Sequence, residues 1–329
     1  MTRRSRLHIA VISCCVVVLF VIVALVPAST RSLVARPKLA RDYDAAVAIA
    51  RAFARGDSAV APGGQSMLLV HGHRTPRAFL LFHGLTNSPR QFRDLADSIY
   101  STGDNVFVPR LPRHGLAGET IRDLGRLTAD ELRDAADESM DITAGLGDTV
   151  IVFGLSLGGV MAAWVAQYRA ADRVVIAAPA LGLAHVAAPL QSPMMDLALR
   201  LPDFDKADPH DAKRPDRTPG WTSRGIAEMM RLGVAVRRGA EREPPRTRDI
   251  RMLVNAHDQT VSRALIDQLV ARWRDKGAHV AVYELSDTLR LPHDIVDPDE
   301  RGSKPRVTEP VILSLLREPL QRSGVRASR

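Results

Sequence analysis

The stretch Thr149-Val150-Ile151-Val152-Phe153, running into Gly154-Leu155-Ser156-Leu157-Gly158-Gly159, constrains the fold more than any other part of the chain. A near-continuous run of β-branched and aromatic residues reads as a strand buried on both faces. A strand that must turn at once into a helix holds the intervening serine in a strained conformation with its hydroxyl exposed. Glycines at 154 and 158 then avoid collisions that a Cβ would cause. A small-residue packing turn is the plainer alternative for such a G-x-S-x-G pattern, but the strand before and the helix after favour a nucleophile turn.

The rest of the chain supplies the sheet that this turn requires. Segments 66–73, 77–84, 105–112, 173–180, 249–258 and 279–287 read as further strands, several of them β-branched runs. Between them, Ser88-Pro89-Arg90-Gln91 and Thr128-Ala129-Asp130-Glu131 carry helix-start chemistry of the capping-box type. Helices also fit residues 157–170, 261–277 and roughly 306–317, and an amphipathic helix at 42–55 precedes the first strand. Alternation of this kind predicts one open, mostly parallel, doubly wound α/β sheet. The alternation lapses over residues 181–248, which hold eight prolines and two apolar clusters around Met194-Met195 and Met229-Met230. That stretch is too long for a connection and reads as an inserted helical cap.

Charge and cysteine usage place the ends. The net charge of +8 in 329 residues is concentrated in residues 1–41, where seven basic residues meet no acid. The remainder carries only +1, and residues 319–329 form a basic tail, so a general nucleic-acid footprint is excluded. Leu7 to Val26 is an uncharged, apolar run of twenty residues, about the length that crosses a bilayer as a helix. Residues 1–28 are therefore expected to be a membrane anchor or signal segment, followed by a linker and amphipathic helix at 29–65. The apolar run exceeds an ordinary signal-peptide core, which favours a retained single-pass anchor with the body outside the cytoplasm; secretion after cleavage near Ala28 is the alternative. Cys14 and Cys15 both lie in this run, so the body has neither disulfide nor thiol nucleophile.

A serine hydroxyl is a weak nucleophile and needs a base, with a carboxylate to orient it. The chain order that accompanies a strand-turn-helix serine places the base near the C-terminus. His293, in Leu291-Pro292-His293-Asp294 after the last strand, is the candidate; His279 opens a strand and His210 lies in the insertion. Asp258 ends the strand 249–258 at the sheet edge where sites form in open α/β folds. Its plainer role is a helix cap, and Asp287 and Asp294 are rival acids. Backbone N–H groups of Leu157, after the nucleophile, and of Leu85, in the loop His83-Gly84-Leu85, are the candidate oxyanion donors. His83 is expected to be structural. Histidine spacing offers no metal site, and the glycines match no phosphate loop.

Taken in order, LLFHGLTNSPRQFRDLAD, VFVPRLPRHGLAG, VFGLSLGG, Asp258 and LPHDI make the chain similar to the α/β-hydrolase family, over residues 66–316. The branch that it resembles holds monoacylglycerol lipases, lysophospholipases and small carboxylesterases. The resemblance implies core segments at 66–180 and 249–318 around the cap at 181–248, a Ser156/Asp258/His293 triad and no cofactor. Two departures are the loop Arg110-Leu111-Pro112-Arg113-His114-Gly115, where relatives often read Pro-Gly-His-Gly, and Asn255-Ala256-His257-Asp258, where a glycine commonly precedes the acid.

These observations predict a serine hydrolase that cleaves small-molecule or lipid acyl esters through an acyl-enzyme. The alternative on the same fold is a serine aminopeptidase or amidase, with Asp203, Asp205, Asp208 or Asp211 receiving a substrate amine. A non-catalytic membrane-anchored binding domain is a third reading. No feature of the sequence sets an oligomeric state.

Overall fold

A computed structural model describes residues 26–55, 60–118, 120–209 and 214–319, together with Ser5, His8, Ile12 and Cys14. The expected membrane segment at 7–26, the basic tail beyond Pro319, and His210 and Asp211 thus lie essentially outside the described residues. Among the described residues, no helix is long and apolar enough to cross a membrane.

The core is a seven-stranded sheet in the order β1-β3-β2-β4-β5-β8-β9. Its strands are β1 (Met67–Leu69), β2 (Thr75–Phe82), β3 (Asn105–Val108), β4 (Gly147–Leu155), β5 (Arg173–Ala177), β8 (Asp249–Asn255) and β9 (His279–Leu285). Every neighbouring pair is parallel except β1 with β3, where Met67 faces Val108 in an antiparallel register. The expected strand at 66–73 is therefore only three residues long. His71 and His73 leave it for loop contacts, with His71 N–H donating to Asn105 Oδ1 at 2.9 Å.

Helices cover both faces. They are α1 (Tyr43–Arg55), α2 (Arg93–Tyr100), α3 (Ile121–Leu124), α4 (Ala129–Leu146), α5 (Leu157–Tyr168), α8 (Arg263–Asp275) and α9 (Pro305–Arg317). The sequence LGGVMAAWVAQY of α5 has no polar stripe because the helix is buried nearly all round, between the sheet and its helical neighbours. The linker ahead of α1 is tied to this layer: Leu33 is fully buried and its carbonyl accepts from Trp164 Nε1 at 2.8 Å.

Residues between β5 and β8 form α6 (Ala188–Ala198), a small hairpin of β6 (Asp205–Ala207) and β7 (Gly220–Thr222), and α7 (Ser223–Arg242). The hairpin was not expected from the helical reading of this stretch; Phe204 and Trp221 meet edge-to-face across it, 6.0 Å between ring centres. Met195, Ala227, Met230 and Val234 form a satellite core between α6 and α7, separate from the main one, and Ala28 packs against it.

Candidate active site

The strand ends converge at the C-terminal edge of the sheet. Ser156 follows β4 and opens α5 with φ +60° and ψ −115°, a region that side-chain-bearing residues seldom enter. Its N–H donates to Ala177 O at 3.1 Å, while its carbonyl accepts from Val160 at 3.0 Å and Ala180 at 3.2 Å. Neighbouring backbones explain the glycines. A Cβ on Gly158 would stand 1.8 Å from Phe82 O, and one on Gly154 would stand 2.0 Å from Gly158 O.

His293 and Asp258 meet across the loops that follow β9 and β8, with His293 Nδ1 and Asp258 Oδ2 2.7 Å apart. Of the three aspartates weighed from the sequence, only Asp258 takes this position. Asp287 pairs instead with His257 Nδ1 at 2.7 Å, and Asp294 turns toward Asn87 and Gln91. Asp258 is not the cap of α8 either, since Ser262 holds that place. Burial disfavours the charged form of both partners, but the hydrogen bond and charge between them outweigh it. Asp258 is held below the ordinary carboxylate range and His293 above the usual 6.5, with Asp294 and Glu300 adding to the latter. Nε2 of His293 is buried and has no hydrogen-bond partner among the described residues.

The candidate oxyanion loop is held by side chains on both sides. Leu111 N–H donates to His83 Nε2 at 3.2 Å, so the His83 proton sits on Nδ1 and is donated to Gly84 O at 2.9 Å. Burial, then the neighbouring His114, keeps His83 well below the usual histidine range and hence neutral. Asn87 N–H also donates to Gly84 O, at 3.2 Å. A trans peptide is planar, so fixing the Gly84 carbonyl points the Leu85 N–H the opposite way. His114 lies between the carbonyls of Pro112 (Nδ1, 2.7 Å) and Leu85 (Nε2, 2.6 Å), which gives the unusual 110–115 loop a place in this framework.

Reasoning from sequence alone missed several residues here. Asn255 Nδ2 donates to Leu291 O at 3.1 Å and Pro292 O at 3.0 Å, clamping the segment before His293 to the end of β8. Gln91, read as the far half of a capping box, is buried and bonds Gly84 and Asp294. The segment begins as a 3-10 turn (Pro89–Phe92), and Ser88 makes no cap; its hydroxyl donates to Gly63 O and Asp216 Oδ2. A polar residue that is needed for burial in a site looks, in one dimension, like one needed for a helix end.

Ser156 and His293 line one cavity of about 680 Å³. Met194, Met195, Ala198, Ile226, Met229 and Met230 form its apolar wall, so the methionines serve both the insertion's packing and the cavity. Asn87, Asp208, Arg217 and Asp294 are among its polar lining residues. Among the described residues no cluster of side chains could hold a metal ion.

A parallel α/β sheet with a strained serine after a central strand, beside a histidine–aspartate pair from late loops, defines the hydrolase class of this architecture. The sequence model of the alpha/beta hydrolase family matches residues 67–312, and the chain belongs to that family. It is 32% identical over 94 residues to the thermostable monoacylglycerol lipase of Bacillus sp. (strain H-257), an alignment that spans 29% of this chain and 36% of that lipase. Among solved structures, one from LipS and LipT, two metagenome-derived lipolytic enzymes, superposes with a TM-score of 0.59 at 20% identity. The match covers 79% of this chain and 100% of the other. A soluble variant of monoglyceride lipase from Saccharomyces cerevisiae gives 0.55 at 16% identity, over 76% of this chain and 89% of that one. The family model thus sets the family, and the two solved structures share its fold.

Proposed function

We propose that the chain is a serine hydrolase of lipid-type acyl esters, tethered to a membrane by residues 7–26. The observation that carries the catalytic part is the Ser156 turn opening into the same apolar cavity as the His293–Asp258 pair. Ser156 Oγ attacks the ester carbonyl as His293 Nε2 takes its proton, and Asp258 holds the imidazole by Nδ1 and stabilises its cation. The N–H groups of Leu85 and Leu157 receive the developing oxyanion. Collapse breaks the bond to the leaving oxygen, which takes the proton from His293 and departs as the alcohol; water, deprotonated in turn by His293, then attacks the acyl-enzyme and the proton returns to Ser156 as the acid is released. The methionine-lined wall suits an acyl chain, since flexible thioethers fit irregular apolar ligands.

Membrane attachment is supported by the docking of the segment after the apolar run. Ala28 N–H donates to Asp196 Oδ1 at 2.8 Å, and the Val26 carbonyl accepts from Arg200. Removal at Ala28 would delete both contacts, which favours a retained anchor, and we place the body on the extracytoplasmic side. In fractionated cells, fluorophosphonate labelling at Ser156 should follow the membrane and be lost on external proteolysis of spheroplasts; soluble labelled protein would contradict the tether. Ser156→Ala should lower ester hydrolysis by about 10⁴-fold or more and abolish labelling. Retained labelling in the folded variant contradicts the serine mechanism. Octanoyl esters should be preferred to acetyl esters, and acyl esters to aminoacyl anilides. The amine-binding alternative has one supporting observation: Asp208 lines the cavity, whereas Asp203 is engaged at the start of α7, accepting from Ser223 Oγ and Arg224 N–H.

A further inference from the structure

Asp294 follows His293 directly, yet Asp258 already occupies His293 Nδ1, so the Asp294 carboxylate has no place in the proton relay. It is 8% exposed and collects four N–H donors. Val296 and Asp297 N–H reach Oδ1, each at 3.0 Å. Asn87 Nδ2 reaches Oδ2 at 2.9 Å and Gln91 Nε2 reaches it at 2.7 Å. A carboxylate can only accept, so both amides must turn their NH₂ groups toward it. Gln91 Oε1 is then left facing the oxyanion loop, where it accepts from Gly84 N–H at 2.9 Å. A Cβ on Gly84 would lie within ordinary contact of both amides, 3.7 Å from Gln91 and 3.8 Å from Asn87.

These bonds form one continuous path. It starts at the backbone N–H of Gly84, beside the oxyanion donor Leu85, passes through Gln91 to Asp294, and ends on the residue next to His293. Asn87 makes a second arm of the same path: its N–H holds Gly84 O while its amide holds Asp294. We propose that Asp294, through Gln91 and Asn87, is a positioning residue that fixes the oxyanion loop against the loop carrying the catalytic base. The inference rests on the serine hydrolase reading above. Catalysis needs Leu85 N–H and His293 Nε2 placed about a single reacting carbon, and they come from segments more than two hundred residues apart. A direct bridge between those segments sets their spacing without touching substrate. Asp294 also adds negative charge beside His293, as do Asp258 and Glu300; Arg217 lies 3.9 Å from Asp294 and pairs with Asp297 and Glu300.

Three variants of the full chain, assayed in detergent on a p-nitrophenyl ester, test this. Gln91→Glu keeps an acceptor for Gly84 N–H but sets a second carboxylate against Asp294, and two such groups hold together only by sharing a proton. Its kcat should fall about tenfold to a hundredfold with little change in KM, and its deficit against wild type should shrink as the pH is lowered. Asp294→Asn turns an NH₂ group against the NH₂ groups of Gln91 and Asn87; kcat should fall similarly, without recovery at low pH. Asn87→Ala removes one arm only and should cost several-fold in kcat, about fivefold. In all three, affinity for a trifluoromethyl ketone should weaken in proportion to kcat/KM, as expected for lost transition-state placement. Wild-type kcat and ketone affinity in the folded variants, with Ser156→Ala inactive, would overturn this inference alone. Undiminished turnover by Ser156→Ala would instead overturn the serine reading beneath it.

Discussion

The two halves of the proposed catalytic arrangement are held in place by different physics. Around Ser156, backbone touches backbone: β2, β4 and the start of α5 approach so closely that no side chain fits at Gly154 or Gly158. Around His293 the chain is a long loop between β9 and α9, and it is held by side chains reaching in from elsewhere. Asn255 clamps Leu291 and Pro292, Asp258 takes the imidazole, and Asn87 and Gln91 take Asp294. The first region is specified by what cannot be there, and the second by what must be. Steric exclusion admits one residue type, whereas a hydrogen-bonded loop admits many solutions.

The largest effect expected in the loop region comes from Asp258→Asn. It leaves the shape intact but presents the wrong group to Nδ1, and kcat/KM should fall by about 10⁴-fold. The sign of the accompanying pH shift follows from the balance at His293. Burial lowers its pKa, while the hydrogen bond and charge of Asp258 raise it above 6.5. In wild type the acidic limb of kcat/KM should therefore lie above the ordinary histidine value, because the base is inactive while protonated. Removing the Asp258 charge leaves burial less opposed, so the limb of the residual activity should move to lower pH. An unmoved limb would mean that another group supplies the base. In the turn region the counterpart is Gly158→Ala, whose Cβ meets the Phe82 carbonyl at 1.8 Å. Chemical denaturation should show a loss of about 4 kcal/mol or more, or no folded protein at all. A mild loss would show that the turn relaxes and is less tightly specified than its backbone contacts indicate.

This contrast also explains what the sequence made legible. The turn was readable because glycines flank a serine between a β-branched run and a helix, and each of those signals is local. The sheet was readable for the same reason, down to seven strands, since two-face burial demands apolar runs such as Val150–Phe153 in β4 and Val174–Ala177 in β5. The bridge from Gln91 to Asp294 spans 203 positions and was not readable. Nothing near Gln91 distinguishes a buried amide from the end of a capping box. The β6–β7 hairpin escaped for another reason: its strands are only three residues long, and β6, exposed throughout, carries no burial alternation to read.

Asn255→Ala sharpens the comparison at an intermediate scale. It strips donors from the Leu291 and Pro292 carbonyls without touching the triad side chains, and should cost about 1–3 kcal/mol of stability. If the loop is held by such side chains, kcat should also fall, by about tenfold, with the acidic limb of the pH profile unmoved because Asp258 and Asp294 are still present. A stability loss with unchanged kcat would mean that the Asp258 bond alone positions His293, and the two regions would differ less than they do here.

The smallest effect separates two segments that look alike in sequence. Thr128 and Ser88 each stand three residues before Glu or Gln, but only Thr128 is a cap. Glu131 N–H donates to Thr128 Oγ1 at 3.1 Å, and Thr128 N–H returns a bond to Glu131 Oε2 at 2.9 Å. Thr128→Ala should destabilise by about 1 kcal/mol and leave kcat and KM unchanged, since α4 lines no part of the cavity. Its effect should be local, with faster hydrogen exchange in the first turn of α4 where Glu131 N–H loses its acceptor. Ser88→Ala should leave the amides of residues 90–92 as protected as before, because the hydroxyl bonds Gly63 and Asp216 rather than the turn that follows it. Its cost, also about 1 kcal/mol, should instead appear where the return of the insertion at 214–218 meets the oxyanion loop, as faster exchange at Thr218 N–H, which donates to Thr86 O at 3.1 Å. Faster exchange at 90–92 in that variant would restore Ser88 as a cap. The division between locally encoded and tertiary-held segments would then have to be drawn one residue further from the site.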